Sequence, residues 1–356
     1  MANLFVPGPV DVNEEVAAAQ TQAMLPHRSA EFEEIFHRVE GKARKVFKTQ
    51  YRVFLTASSG TGLHEAAVRN LANRSVLSAV NGAFGKRWRA VAETNGKDVD
   101  VVESDWQEPL SAEAIAKALG KKDYEILILV HNETSTGLVN PVGEIAAAAR
   151  KASPNTLICV DAVSSWSGDL IDMDTWGVDM VLTSSQKALA LPPGLSLGAV
   201  NDRAMERAET VENRGWYFDF LRLEKHRTSN STPATPAISL IYALDTQLRR
   251  IVDEEGLEAR FARHAALAEM AQKWAIEKGL DLFAPEGYRS RTVTTIDNKL
   301  GLDVGELNAF LLERGMRIAN GYGPLKGKTF RIGHMGEIQL SDLEILLAAI
   351  EEFLAK

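Results

Sequence analysis

The feature that most restricts this chain is a series of short, continuous apolar runs separated by segments of helical character. The runs are RVFLT (52–56), SVLSAV (75–80), VDVVES (99–104), EILILVH (125–131), TLICVD (156–161), VDMVLTS (178–184) and LSLGAV up to Asn201. A strand with one wet face alternates apolar and polar residues, whereas a strand covered on both faces is apolar throughout. Between the runs lie GLHEAAVRNLA, GKRWRAVAETNG, SAEAIAKALG and VGEIAAAARKA, which read as helices. Strands alternating with helices predict an α/β fold: a three-layer sandwich around a mostly parallel seven-stranded sheet.

Past Pro193 the pattern changes. Residues 236–279 read as long helices, followed by strand-like TVTTID, GMRIA and TFRIG and by helical GELNAFLLERG and SDLEILLAAIEEFLA. The expected organisation is an N-terminal arm (1–20), a large domain (21–250) and a small C-terminal α+β domain (251–356). A length of 356 residues, more than one small core accommodates, agrees with two domains.

Composition narrows the partners. Acidic residues outnumber basic ones 48 to 40, a net charge of −8, so no nucleic-acid footprint is expected. Cys159 is the only cysteine, which forbids an intramolecular disulfide and suits a reducing compartment. The opening MANLFVPGPVDVNEE lacks the basic-then-apolar pattern of a secretory signal, and no run of about 18 apolar residues offers a membrane span. The expectation is a cytoplasmic protein that binds neither nucleic acid nor membrane.

Ligands of open α/β sheets gather at the carboxyl ends of strands. RVFLT leads into ASSGTG (57–62), whose small residues either cradle an anion at a helix N-terminus or simply cap that helix. It is neither a Walker A loop nor a GxGxxG fingerprint. TLICVD ends in Asp161, a helix cap or a carboxylate facing a cationic ring nitrogen. In TSSQKALALPPG (183–194), Lys187 stands among small and apolar residues before a rigid Pro-Pro-Gly turn. It is either a lysine that snorkels to water or an amine of lowered pKa able to form a Schiff base. Phe84 in NGAFGKRW fits a core position or a stack on a flat ligand. Anion cradle, stacking ring, carboxylate and reactive lysine together describe a site for pyridoxal phosphate.

At this point the chain resembles the class V aminotransferases of the fold-type I pyridoxal phosphate superfamily, and within them the alanine–glyoxylate and serine–pyruvate aminotransferase group. The residues carrying the resemblance are PGPVDV near the start, PHRSAEFEEIF (26–36), SSGTGLHEAA (58–67), NGAFGKRW (81–88), HNETSTG (131–137), the segment 160–195 through SSQKALALPPGL, TPATPAISLIYAL (232–244) and FRIGHMGE (330–337). They span nearly the whole chain.

The resemblance implies roles. Lys187 would be the Schiff-base lysine and proton carrier, and Asp161 the partner of the pyridinium nitrogen. Phe84 and Val163 would lie on opposite faces of the ring, with Phe84 where several relatives have tryptophan. Ser59, Gly60, Thr61 and Gln186 would hold the phosphate, and Thr134 would sit near the ring hydroxyl. Arg331 would clamp the substrate carboxylate, a task suited to a planar guanidinium, with Arg28 as a second substrate contact or a merely solvated arginine. Thr232 or Thr235 would reach the cofactor phosphate of a neighbouring subunit, implying a homodimer with sites at the interface. The implied reaction is a ping-pong transfer of an amino group from alanine or serine to glyoxylate or pyruvate.

Three alternatives belong beside it. A cysteine desulfurase needs a mobile reactive cysteine, and Cys159 lies inside a strand. A phosphoserine or aminoethylphosphonate aminotransferase would use His27, Arg28 and His334 for the extra anion. A class V-like subunit of a larger complex, such as the small subunit of a soluble hydrogenase, would need no catalysis, and intact Lys187, Asp161 and Arg331 argue against it.

Overall fold

The structure is a computed structural model that describes residues 3–355. Its main sheet has seven strands in the order Arg52–Thr56, Ser196–Val200, Met180–Ser184, Leu157–Asp161, Ile126–Val130, Ser75–Val80 and Asp98–Glu103. Ser196–Val200 is antiparallel to both neighbours; all other pairings are parallel. The mostly parallel seven-stranded α/β sheet expected from the apolar runs is therefore present.

The two-faced burial behind those runs is visible residue by residue. Along Ile126–Val130, Leu127 and Leu129 enter the apolar core on one face while Ile126 and Ile128 enter the core on the other. Along Leu157–Asp161, Ile158 and Val160 face the first core, Leu157 and Cys159 the second. Cys159 is fully buried, and desolvation holds its thiol well above the ordinary value, so it has no nucleophilic character. VDVVES differs. Its strand, Asp98–Glu103, is the sheet edge, and Asp98, Asp100 and Glu103 are exposed. The acidic residues within this run are what a one-sided edge position tolerates.

A second sheet has five strands in the order Asn3–Phe5, Met316–Asn320, Thr329–Gly333, Val293–Asp297 and Asp281–Leu282. Asn3–Phe5 pairs parallel with Met316–Ile318, and Phe5 is buried in the core under this sheet. From Asn3 the chain thus runs first within the smaller sheet, and Val6 to Pro9 then cross toward the strand ends of the large sheet.

Among the described residues no helix is long and apolar enough to cross a membrane, and no cluster of His, Cys, Asp and Glu could hold a metal ion.

Candidate active site

Four strand ends, the N-terminal arm and the smaller sheet converge on one cavity of about 360 Å³. Its walls include Ser59, Gly60 and Thr61 after the first strand, Phe84 and Arg87 on the helix Ala83–Thr94, and Asp161 and Val163 after Leu157–Asp161. Ser184, Gln186 and Lys187 come from the end of Met180–Ser184, Tyr322 and Arg331 from the smaller sheet, and Val6 to Pro9 from the arm.

Lys187 is a part-buried side chain whose Nζ donates to the Pro7 carbonyl. It lies 5.9 Å from the centre of the Phe84 ring. Desolvation, followed by the nearby Arg331 charge, lowers its pKa from 10.5 to about 8, against a smaller opposing pull from Asp161. The neutral fraction at pH 7 rises accordingly, from a few in ten thousand to about one in ten. The backbone beyond it is anchored: Arg260 Nη2 donates to Ala188 O at 2.8 Å and Gln247 Nε2 to Leu189 O at 2.9 Å. Gly8 in the arm passes so close that a Cβ there would lie 2.6 Å from Lys187 Cδ, and its φ of +102° is disfavoured for any other residue.

Asp161 Oδ1 accepts from the Val163 amide at 2.7 Å, and Oδ2 accepts from His64 Nε2 at 2.7 Å. Both oxygens are fixed by internal donors.

The helix Gly60–Leu71 begins with Ser59 at its N-cap, yet no side chain caps it. The Gly62 amide turns back to Ser59 O at 2.9 Å, which leaves the Gly60 and Thr61 amides to face an anion. Beside them, Ser184 Oγ and Gln186 Oε1 are buried without a partner. A Cβ on Gly60 would approach Val163 Cγ2 to 2.7 Å, so this wall admits only glycine. The neighbouring helix Ala83–Thr94 is treated differently. Buried Glu133 accepts from the Phe84 and Gly85 amides, each at 3.1 Å through Oε2, and Ser135 Oγ from the Ala83 amide at 3.0 Å. One helix start is closed by a carboxylate and the other left open.

Arg331 donates through Nε and Nη2 to Asn320 O at 3.1 and 3.0 Å, and through Nη1 to Thr134 O at 3.2 Å. A guanidinium has five N–H groups, so one on each Nη is left over, the pair that forms an end-on fork for a carboxylate. Burial pulls its pKa down to about 10, which still leaves it charged at neutral pH. Arg87 donates to Tyr322 Oη at 2.8 Å and lies 4.8 Å from the Phe84 ring centre. Among the described residues no carboxylate is paired with Arg87 or Arg331.

Of the residues singled out in the sequence, Lys187, Asp161, Ser59, Gly60, Thr61, Phe84, Val163, Gln186 and Arg331 meet at this cavity. The remaining candidates do not line it in this single chain. The Thr134 hydroxyl is paired with Ser164, and only its carbonyl serves the site, by holding Arg331. Thr232 Oγ1 donates to Ala234 O at 2.7 Å, and Thr232 and Thr235 line a separate recess with Thr56, Ala57 and Tyr217. Arg28 is exposed, on the side of His226, whose imidazole is held below its ordinary value by burial and then by Arg28, Lys225 and Arg222. His334 is buried and bonded to Thr294 Oγ1 at 2.9 Å, and neither it nor His27 is part of the cavity wall in this single chain.

Sequence reasoning missed His64, Arg87, Tyr322 and the Pro7 carbonyl. Helical spacing was an available signal for two of them: His64 is one turn beyond Gly60, and Arg87 three residues beyond Phe84. Nothing local marks Tyr322, which arrives from the other sheet.

A model of the class V aminotransferase family matches residues 12–323. The chain is 37% identical over 344 residues to the L-aspartate–glyoxylate aminotransferase of Paracoccus denitrificans, covering 94% of this chain and 86% of that one. It is 35% identical over 358 residues to the serine–glyoxylate aminotransferase of Methylorubrum extorquens, covering 97% and 88%. Among solved structures, alanine–glyoxylate aminotransferase from a Nostoc species superposes with a TM-score of 0.93 at 32% identity, covering 99% and 95%.

Proposed function

The chain belongs to the class V aminotransferase family and is a transaminase, and from that premise we propose that it uses pyridoxal phosphate to move the amino group of a small amino acid to glyoxylate or pyruvate. The observation that carries this reading is a single cavity bringing together an amine of lowered pKa (Lys187), a fixed carboxylate (Asp161) and a guanidinium fork (Arg331). The residues fit the cofactor: an uncapped helix start with orphaned Ser184 Oγ and Gln186 Oε1 suits a phosphate, and Phe84 and Val163 suit a flat ring.

When bound, pyridoxal phosphate supplies an aldehyde that exchanges amines and a ring that acts as an electron sink. Ser59, Gly60, Thr61 and Gln186 would hold the phosphate. Asp161 would keep a proton on the ring nitrogen. Lys187 Nζ, desolvated and partly neutral, is both nucleophile and the base that takes and returns the substrate α-proton. Arg331 binds the carboxylate common to amino acid and oxo acid, which fixes the Cα hydrogen relative to Lys187. Val6 to Pro9 wall the cavity against water. Because one cavity serves both half-reactions, the first oxo acid leaves before the second enters, which is ping-pong kinetics. The recess around Thr232 and Thr235, beside exposed Trp216 and Tyr217, would meet a second copy in a homodimer and lend a hydroxyl to its phosphate.

The first reading of the donor is alanine or serine. A specific observation favours a second, aspartate: Arg87 is a further cation at the same cavity, without an internal carboxylate partner, and suits a distal carboxylate. The relative named for aspartate–glyoxylate transfer agrees with it. The test is a matrix of alanine, serine and aspartate against glyoxylate and pyruvate, run on wild type, Arg331→Ala and Arg87→Gln. Arg331→Ala should lower kcat/KM for every donor by about 10²-fold, the scale of a charge-assisted pair. Under the aspartate reading, Arg87→Gln lowers it for aspartate alone. No transfer from any donor, or purified protein without cofactor absorbance, ends the proposal.

A further inference from the structure

His64 is buried at the cavity wall, on the helix whose first turn forms the open anion cradle. Its Nε2 lies 2.7 Å from Asp161 Oδ2, while its Nδ1 is buried with no hydrogen-bond partner. A proton on Nδ1 would be an unmatched buried donor, so the tautomer that satisfies the surroundings carries the proton on Nε2 and donates to Asp161. The imidazole is itself wedged. It stacks on Trp88 with ring centres 4.5 Å apart and planes 17° from parallel, and Trp88 Nε1 donates to the His64 carbonyl at 3.2 Å.

The arrangement repeats one device on two helices. Gly60 and His64 are four residues apart on the first helix, so the turn that offers amides to an anion is backed by the turn that reaches Asp161. Phe84 and Trp88 are four apart on the second, so the helix that presents a ring to the cavity also presents the ring that holds His64. Helix packing thereby links the cradle, the stacking face and the carboxylate.

We propose that His64 is a positioning residue, which orients the Asp161 carboxylate toward the ring nitrogen of the cofactor through its Nε2 hydrogen bond. This rests on the cofactor reading given above. The backbone donor at Val163 alone leaves the carboxylate free to rotate about one fixed oxygen; the His64 donor fixes the second and so sets its plane. Losing a buried bond to a charged acceptor changes an equilibrium on the order of ten- to a hundredfold, and here the equilibrium affected is the preference of the site for a ring that carries a nitrogen.

The experiment compares the affinity of the cofactor-stripped full-length protein for pyridoxal phosphate with its affinity for the analogue that has carbon in place of the ring nitrogen. Wild type should favour the true cofactor. His64→Leu should shrink that preference at least tenfold and lower kcat with little change in KM. His64→Gln, whose amide nitrogen reaches the same point, should keep the preference within about threefold, because the donor is retained. If His64→Leu fails to fold, His64→Asn, one methylene too short for the bond, takes its place with the same expected loss. A preference unchanged in the variant lacking the donor, or lost equally in His64→Gln, overturns the role of His64 while leaving the cofactor reading intact. Wild type that binds neither compound overturns both.

Discussion

Removing the charge at Lys187 should change the stability of the cofactor-free protein in a pH-dependent manner. The side chain is held in a desolvated wall beside Arg331, and its pKa is pulled from 10.5 to about 8. That difference corresponds to about 3 kcal/mol of penalty on the charged form. Its sign follows from proton binding. Below about pH 8 the amine is protonated in both folded and unfolded chains, and the full penalty weighs on the folded state. Between about 8 and 10.5 the unfolded chain keeps a proton that the folded protein has released, so stability rises with pH. Above that window both states are neutral and the penalty is gone. Lys187→Met keeps an unbranched stem of similar length and removes the titration. Denaturation of the cofactor-free wild type and variant across pH 7 to 10.5 should show the variant's relative advantage shrinking by about 3 kcal/mol, other titrating groups cancelling in the difference. The hydrogen bond to Pro7 is stronger from the ammonium than from the neutral amine, so it opposes the desolvation penalty and is contained in the net change measured. A difference that stays flat within about 1 kcal/mol over this range would refute desolvation as the cause of the lowered pKa.

Three further outcomes are expected. Asp161→Asn should lower the transamination rate on the order of 10²-fold or more while the protein still takes up cofactor, measured by turnover alongside absorbance; an unchanged rate removes Asp161 from its role. Gly8→Ala places a methyl 2.6 Å from Lys187 Cδ at a φ of +102°, so cofactor bound per chain should fall, and full occupancy would show that the arm moves aside freely. Glu133→Ala leaves the start of the Phe84 helix uncapped and should lower stability by about 1–2 kcal/mol in urea denaturation, whereas an unshifted midpoint would mean that water replaces the carboxylate.

Much of the site could be read from the chain because its parts lie at strand ends. Asp161 closes a strand, Ser59 to Thr61 open the helix after another, and Lys187 follows a third within three residues. The sheet places such positions side by side, so local pattern carries global information. Arg331 was legible for a different reason, the resemblance of FRIGHMGE to a known family. Tyr322, Arg87 and the Pro7 carbonyl were not legible, since each acquires meaning only from what the other sheet or the arm brings opposite it.

The sequence by itself determined the fold class and the chemical inventory. Apolar runs with no wet face must be covered on both sides, and their alternation with helical segments points to helices on a mostly parallel sheet; the reversed direction of the equally buried Ser196–Val200 was not legible in its pattern. What only the tertiary structure decided was the state of those groups. Whether Lys187 is an ordinary ammonium or a reactive amine depends on how much water reaches it, and water is excluded by Val6 to Pro9 and by Arg331, residues roughly 140 to 180 positions away. Desolvation and hydrogen-bond direction are properties of surroundings, and surroundings exist only once distant segments have packed.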